Sequence, residues 1–250
     1  MPQRLENRKA VITGASSGIG EATALALAGE GATVALGARR KDRLDGLAER
    51  ISGDGGSAHA HEVDIADEAQ ARAFVEDAAK QMGGIDILVN NAGVMLLGPV
   101  EGADTGDWRT MVNVNLLGLL YCTQAALPLM REGGGGHIVN VSSVAGRVAS
   151  LGSGVYNMTK WGVTGFSEAL RQEGAHSGIR VTCLEPGFVD TELQGHNQNP
   201  MVVEAIEKMR EQTGEVLLAE DMAAAILFAV TAPSRVNVNE ILIRPTGQTR

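Results

Sequence analysis

The chain has 250 residues, of which 44% are hydrophobic, enough to bury a sizeable core in one α/β domain. Its 30 acidic and 21 basic side chains leave a net charge of -9, which argues against an electrostatic nucleic-acid binder, because phosphate binding needs a concentrated basic surface. Cys122 and Cys183 both sit in apolar segments and form no disulfide or zinc framework, so they read as core thiols.

The start, MPQRLENRKAVITG, is polar and runs straight into an apolar strand, so no secretory signal is expected. The apolar stretches are broken before bilayer-spanning length, and a cytoplasmic protein without a membrane partner is expected. Strand Lys9–Thr13 comes first, then a helix from about Gly18 to Gly29 and strand Thr33–Ala38. A helix near Lys41–Ser52 precedes strands Ser57–Val63 and Ile85–Asn90, which flank a helix near Asp67–Met82. Asp107–Arg131 reads as one long helix with Pro128 disturbing its last turn. His137–Ser142 is a strand, Val155–Ala175 a second long helix, Ile179–Leu184 another strand, and Val238–Ile243 closes the sheet. Gly53–Gly56 and Gly133–Gly136 mark exposed turns. This alternation predicts βα units on a parallel sheet, a single-domain α/β doubly wound (Rossmann-like) fold over residues 1–250 with helices on both faces. Asp190–Gly214 interrupts it: TELQGHNQNP has no helical or strand period, Met201–Gln212 reads as a helix, and the segment is expected to be a substrate lid.

Gly14, Gly18 and Gly20 in TGASSGIG follow the first strand and open a helix. A helix N-terminus offers free N–H groups and a positive dipole end to a diphosphate, and glycines let the backbone approach it closely. Alone, the GxxxGxG spacing is weak evidence, because it also fits a tight strand-to-helix turn. NAD-type folds usually place an acid at the end of the second strand, accepting from ribose hydroxyls. Here that spot reads Gly37-Ala38-Arg39-Arg40, with no acid, and Asp42 lies too far along to replace it. Arg39 would grip a 2′-phosphate with its planar fork of donors, so NADP(H) is expected over NAD(H). The plainer alternative is that these arginines are a solvated helix start.

Tyr156 and Lys160, in VYNMTKWG, would share one helix face. A tyrosine titrates near ~10, and an ammonium at ~4 Å contributes about 1 kcal/mol in water but about 4 at an effective dielectric near 20. The pair therefore needs a partly sheltered cleft, helped by the positive ring of an oxidised nicotinamide. As a phenol, Tyr156 would protonate a carbonyl oxygen as hydride reaches carbon. By itself the spacing also fits a boundary tyrosine beside a surface lysine. Ser142-Ser143 ends a strand at the carboxyl edge, where ligands bind in open α/β sheets, and a hydroxyl there can donate to a developing alkoxide. Asn90-Asn91-Ala92-Gly93 ends another strand, beside the expected cofactor ribose. Asn115, in NVNLLGLLY, is poorly suited to a helix interior. It reads either as the holder of a water linking Lys160 to solvent or as a satisfied amide bridging helices.

TGASSGIG, NNAG, the Asn of NVNLLG, the Ser of VSSVAG, YNMTK and the PG of LEPGFVDT occur in the order typical of the short-chain dehydrogenase/reductase family, which the chain resembles over essentially its whole length. The resemblance implies Ser143, rather than Ser142, as the substrate-positioning serine and Tyr156 as the acid/base. It makes Lys160 the holder of the nicotinamide ribose and Asn115 the last member of a proton relay. It further implies a cofactor site of Gly14, Ser16, Ser17, Gly18, Ile19, Gly20, Arg39, Asp64, Ile65, Asn91, Ala92, Gly93, Tyr156, Lys160, Pro186, Gly187, Val189 and Thr191. In that site Asp64-Ile65 would touch adenine, and Pro186-Gly187 with Thr191 would flank the nicotinamide. Many NADP-using members carry a basic residue within the glycine loop, where this chain has Ser16-Ser17. Within the family, NNAGVMLLGPVEGADTGDW and NEILIRPTGQ are similar to clavaldehyde reductase-like NADP-dependent carbonyl reductases. A homotetramer, or a homodimer, built on the two long helices is also implied.

Met95, Val144, Phe188 and Leu193, with Ser143 and Tyr156, are the expected substrate contacts, and their apolar character suits a carbonyl compound with a nonpolar portion. Arg147 and Glu185 lie near the expected rim, where Arg147 could recognise a carboxylate. His59, His61 and His196 make no metal cluster, and the chemistry needs no metal. The expected activity is NADPH-dependent reduction of an aldehyde or ketone to an alcohol. The alternatives are oxidation of a 3-hydroxy acid or other secondary alcohol with NADP+, and a dinucleotide-sensing protein without chemistry, which the intact catalytic set argues against.

Overall fold

Successive side chains of a strand point to opposite faces, and a parallel sheet covered on both sides needs both faces apolar. In the first strand, β1 (Lys9–Thr13), Ala10 and Ile12 enter one core while Val11 enters the other. The same division holds in β2 (Thr33–Ala38), where Val34 and Leu36 face one way and Ala35 the other. A computed structural model describes residues 3–249. Its remaining strands are β3 (Ser57–Glu62), β4 (Ile87–Asn90), β5 (Gly136–Val141), β6 (Ile179–Pro186) and β7 (Glu240–Ile243). They form a single parallel sheet in the order β3-β2-β1-β4-β5-β6-β7.

Helices α1 (Gly18–Gly29) and α2 (Lys41–Gly53) cover the first face together with α8 (Ala219–Thr231). The second face is covered by α3 (Glu68–Met82), α5 (Leu119–Glu132) and α6 (Gly154–Gly174). Two outer helices, α4 (Thr105–Val112) and α7 (Pro200–Thr213), precede α5 and α8. The chain winds outward from β1 through β2 to β3, then returns to start β4 on the opposite side of β1. That reversal opens a crevice at the carboxyl ends of β1 and β4, where ligands of doubly wound sheets bind.

The expected strands and most helices are present, with three differences. Helix α8 has no counterpart in the sequence reading. The long helix expected at Asp107–Arg131 is α4 and α5 joined by a π-helical turn, Asn113–Gly118, and it passes through Pro128 to reach Glu132. Thr105–Glu132, at 28 residues, is long and apolar enough to cross a bilayer by length and composition, which corrects the expectation that no stretch reaches that length. Cys122, Ala125, Ala126 and Met130 on its inner face pack into the second core, as a core helix does.

Candidate active site

β1 ends at Thr13, whose hydroxyl accepts the amides of Asn91 (3.0 Å) and Ala92 (3.1 Å) and donates to the Val89 carbonyl (3.4 Å). The chain then turns through Gly14 at φ +67 and Gly18 at φ +55, left-handed conformations that favour glycine. A Cβ on Gly14 would lie 2.7 Å from Ala92 Cα, and one on Gly20 would overlap the Gly14 carbonyl oxygen. The Asn91 side chain donates to the carbonyls of Thr13 (2.9 Å) and Gly14 (3.2 Å), so it shapes the loop from behind. Ser17 begins α1 without a side-chain cap, leaving the helix end open to an anion. A loop with no room for side chains and an uncapped helix end suit a dinucleotide diphosphate.

From this loop a cleft of about 320 Å³ runs across the sheet edge. Gly14, Ser16, Ser17, Gly18, Ile19, Arg39, Asp64, Ile65, Asn91, Ala92 and Gly93 line its first part. Ser143, Tyr156, Lys160, Pro186, Gly187, Val189, Thr191 and Leu193 line the rest. Gly20 and Asn115 do not line it, nor do Met95, Val144 and Phe188 of the expected substrate contacts. Phe188 is buried, with its amide held by Gln248 at 2.9 Å.

At the far end, α6 carries Tyr156 and Lys160 on one face, both buried. The Lys160 ammonium lies 5.7 Å from the Tyr156 ring centre and donates to the Val141 carbonyl at 3.0 Å. Burial pushes the Tyr156 phenol up to about 12, against a hydrogen bond from Ser143 that pulls it down. Burial also pulls Lys160 down to about 8. Desolvation is the larger of the two effects on Tyr156, so the phenol holds its proton more tightly than a free tyrosine. The two serines have separate work. Ser142 Oγ donates to the Lys160 carbonyl at 2.9 Å, tying β5 to α6. Ser143, extended at φ -174, faces the cleft and accepts the Ala145 amide at 3.1 Å.

Asn115 sits in the π-helical turn, 2% exposed. Its carbonyl accepts the Val94 amide at 2.8 Å, and its amide donates to the Val94 carbonyl (2.9 Å) and to Thr159 Oγ1 (3.2 Å). These bonds make the amide a bridge from the turn to the loop after β4 and to α6. Arg147, expected as a free rim cation, is committed to fully buried Glu185 at 2.7 Å and to Glu240, so it is not free to hold a substrate carboxylate.

Sequence reasoning passed over Arg40. Its guanidinium donates to Ser16 Oγ (3.1 and 3.0 Å), to Ser17 Oγ (2.8 Å) and to Glu192 (2.7 Å), while Arg39 lies exposed on the cleft wall. The signal was an arginine at the end of β2 opposite two serines of the glycine loop, a pairing that only the β1–β2 register brings together. The Asp190–Gly214 segment folds as a 3-10 turn, Glu192–His196, followed by α7. Asn197 clasps it to the loop after β4, accepting the Leu97 amide at 2.7 Å and donating to the Met95 carbonyl at 3.1 Å.

Residues 8–201 match the family model described as short chain dehydrogenase. The chain belongs to this family. A glycine betaine reductase of Emericella nidulans is 43% identical over 98% of this short-chain dehydrogenase, which spans only 19% of that longer protein. An uncharacterized oxidoreductase of Staphylococcus saprophyticus is 40% identical over 98% of both chains. Among solved structures, the closed form of serine dehydrogenase complexed with NADP+ is 33% identical with a TM-score of 0.89, covering 97% of this chain and 96% of that one. A 7α-hydroxysteroid dehydrogenase complexed with NADH and 7-oxo glycochenodeoxycholic acid is 28% identical with a TM-score of 0.90, covering 100% and 97%. The family's neighbours thus hold either nicotinamide cofactor.

Proposed function

We propose that this short-chain dehydrogenase reduces an aldehyde or ketone to the alcohol with NADPH. The observation that carries the reading is one continuous cleft, with the uncapped α1 end and Arg39 and Arg40 toward one end and Ser143, Tyr156 and Lys160 toward the other. When bound, the cofactor supplies hydride. Gly14, Ser16, Ser17, Gly18 and Ile19 receive its phosphates, with Gly20 giving the loop room from behind. Arg39 and Arg40 take the 2′-phosphate, and Asp64 and Ile65 the adenine. Asn91, Ala92 and Gly93 line the ribose, while Pro186, Gly187, Val189 and Thr191 flank the nicotinamide side. Ser143 positions the carbonyl oxygen and Tyr156 protonates it. Lys160 steadies the ribose and the phenol. Asn115 serves as a positioning residue through Val94 and Thr159. Leu193 flanks the substrate, whereas Met95, Val144 and Phe188 do not line the cleft. The buried phenol facing the cleft beside Ser143 supports the proton-donor role in reduction.

The reverse reaction, oxidation of a secondary alcohol or 3-hydroxy acid with NADP+, uses the same groups and is favoured by the NADP+-bound serine dehydrogenase among the neighbours. The finer likeness to clavaldehyde reductase-like carbonyl reductases, a cytoplasmic location, a lid at about 190–214 on one domain and a homotetrameric or homodimeric assembly belong to this proposal. NADPH oxidation across aldehydes, ketones, β-keto acids and quinones, run beside NADH, tests it; equal rates with both cofactors remove the arginine argument. Tyr156→Phe is expected to cut turnover by about 10²–10⁴-fold while dinucleotide binding persists. Unchanged turnover removes the mechanism, and an inactive wild type that still binds the dinucleotide points to a sensing role.

A further inference from the structure

The carboxylate missing from the end of β2 arrives from elsewhere. Glu192, at the start of the 3-10 turn, accepts Arg40 Nη1 at 2.7 Å and Arg43 Nη1 at 2.6 Å, one arginine on each of its oxygens. Arg40 is meanwhile locked on the glycine loop through Ser16 and Ser17. Just before Glu192, Thr191 packs on the loop, since a Cβ on Gly18 would lie 3.0 Å from Thr191 Cγ2. Five residues on, Asn197 holds the loop after β4. The turn is therefore pinned at both ends across the cleft, by an ion pair at the arginine end and by amide hydrogen bonds at the other.

We propose that Glu192 is a latch that the 2′-phosphate of the cofactor releases: the lid carboxylate neutralises Arg40 and Arg43 in the free protein and gives them up when phosphate arrives. This rests on the NADPH reading. A phosphate brings about two negative charges and competes for the same donors. Glu192 and a phosphate held by one guanidinium repel each other, so binding the one loosens the other. With its side chain 50% exposed, the Glu192 carboxylate has water to move into. Glu192 thereby lowers affinity for the phosphorylated cofactor while closing the lid in its absence, and it links adenosine recognition to the segment covering the substrate end.

The test uses the full chain and Glu192→Gln, with adenosine 2′,5′-bisphosphate and 5′-AMP as probes in calorimetry, and hydrogen exchange of the 193–197 amides. Glu192→Gln is expected to tighten the bisphosphate about tenfold, the scale of two exposed ion pairs, and to leave AMP unchanged. In wild type, saturating bisphosphate should speed exchange of the turn toward the rate of the variant, and AMP should not. An equal effect on both probes, weakened AMP binding (a ribose ligand rather than a latch), or a turn whose exchange ignores the substitution overturns the proposal. Wild type that binds AMP as tightly as the bisphosphate counts against the NADPH reading. The exchange of Glu192→Gln then decides the latch alone, with unchanged rates refuting it.

Discussion

Lys160 is a cation held where a cation is least at home. Burial lowers its pKa from 10.5 to about 8, a net penalty on the charged form of about 3 kcal/mol, although its ammonium donates to the Val141 carbonyl. The unfolded chain holds this proton up to the ordinary lysine range, whereas the folded one releases it near 8. Between those limits the unfolded state binds more protons, so the penalty fades as pH rises. Lys160→Met is therefore expected to raise stability at pH 7 by about 1–2 kcal/mol while abolishing turnover. Urea unfolding of both proteins should show that advantage shrinking from pH 8 to 10. A variant less stable than wild type at pH 7 contradicts the account. That Tyr156 shares a helix face with Lys160 was legible from the spacing, but the direction of its shift was not. The sequence showed a cation nearby, and only the fold shows the burial of both groups that raises the phenol.

The parallel strands were legible because their apolar runs lie between glycine-rich turns, and β1 and β2 match the expected bounds. Helix α8 was not, because AEDMAAAILFAVT carries its acids only at the start and shows no polar face along the rest. The π-helical turn was invisible too, since NVNLLG fits an unbroken helix equally well. In that turn Gly118 faces Ile65, where an added Cβ would lie 2.6 Å from Ile65 Cδ1 and 2.8 Å from its carbonyl oxygen. A carbonyl cannot yield as a side-chain end can. Gly118→Ala is expected to cost about 2 kcal/mol, read as a lower urea midpoint at unchanged slope. A midpoint equal to wild type would mean that the helix slides away freely. The cofactor loop was readable as a motif, but the wall behind it was not, because Asn91 and Thr13 are brought together only by strand pairing.

On the whole molecule, the outer faces carry large apolar groups. Met158 (56% exposed) and Trp161 (52% exposed) stand on α6. Leu120 stands on α5, with Phe228 and Leu242 on α8 and β7. Exposed side chains of this size on two long helices support the proposed assembly. Trp161→Glu is expected to at least halve the mass seen by light scattering at micromolar concentration, and a wild type already monomeric there refutes the assembly. The seam where the sheet changes direction has its own consequence. One threonine hydroxyl receives two consecutive amides just beyond β4, so Asn91 and Ala92 are connecting residues by sequence but strand residues by energy. Their protons should be among the last to trade with deuterated water, long after those of other connecting segments, so that this edge of the cavity keeps its shape before any guest arrives.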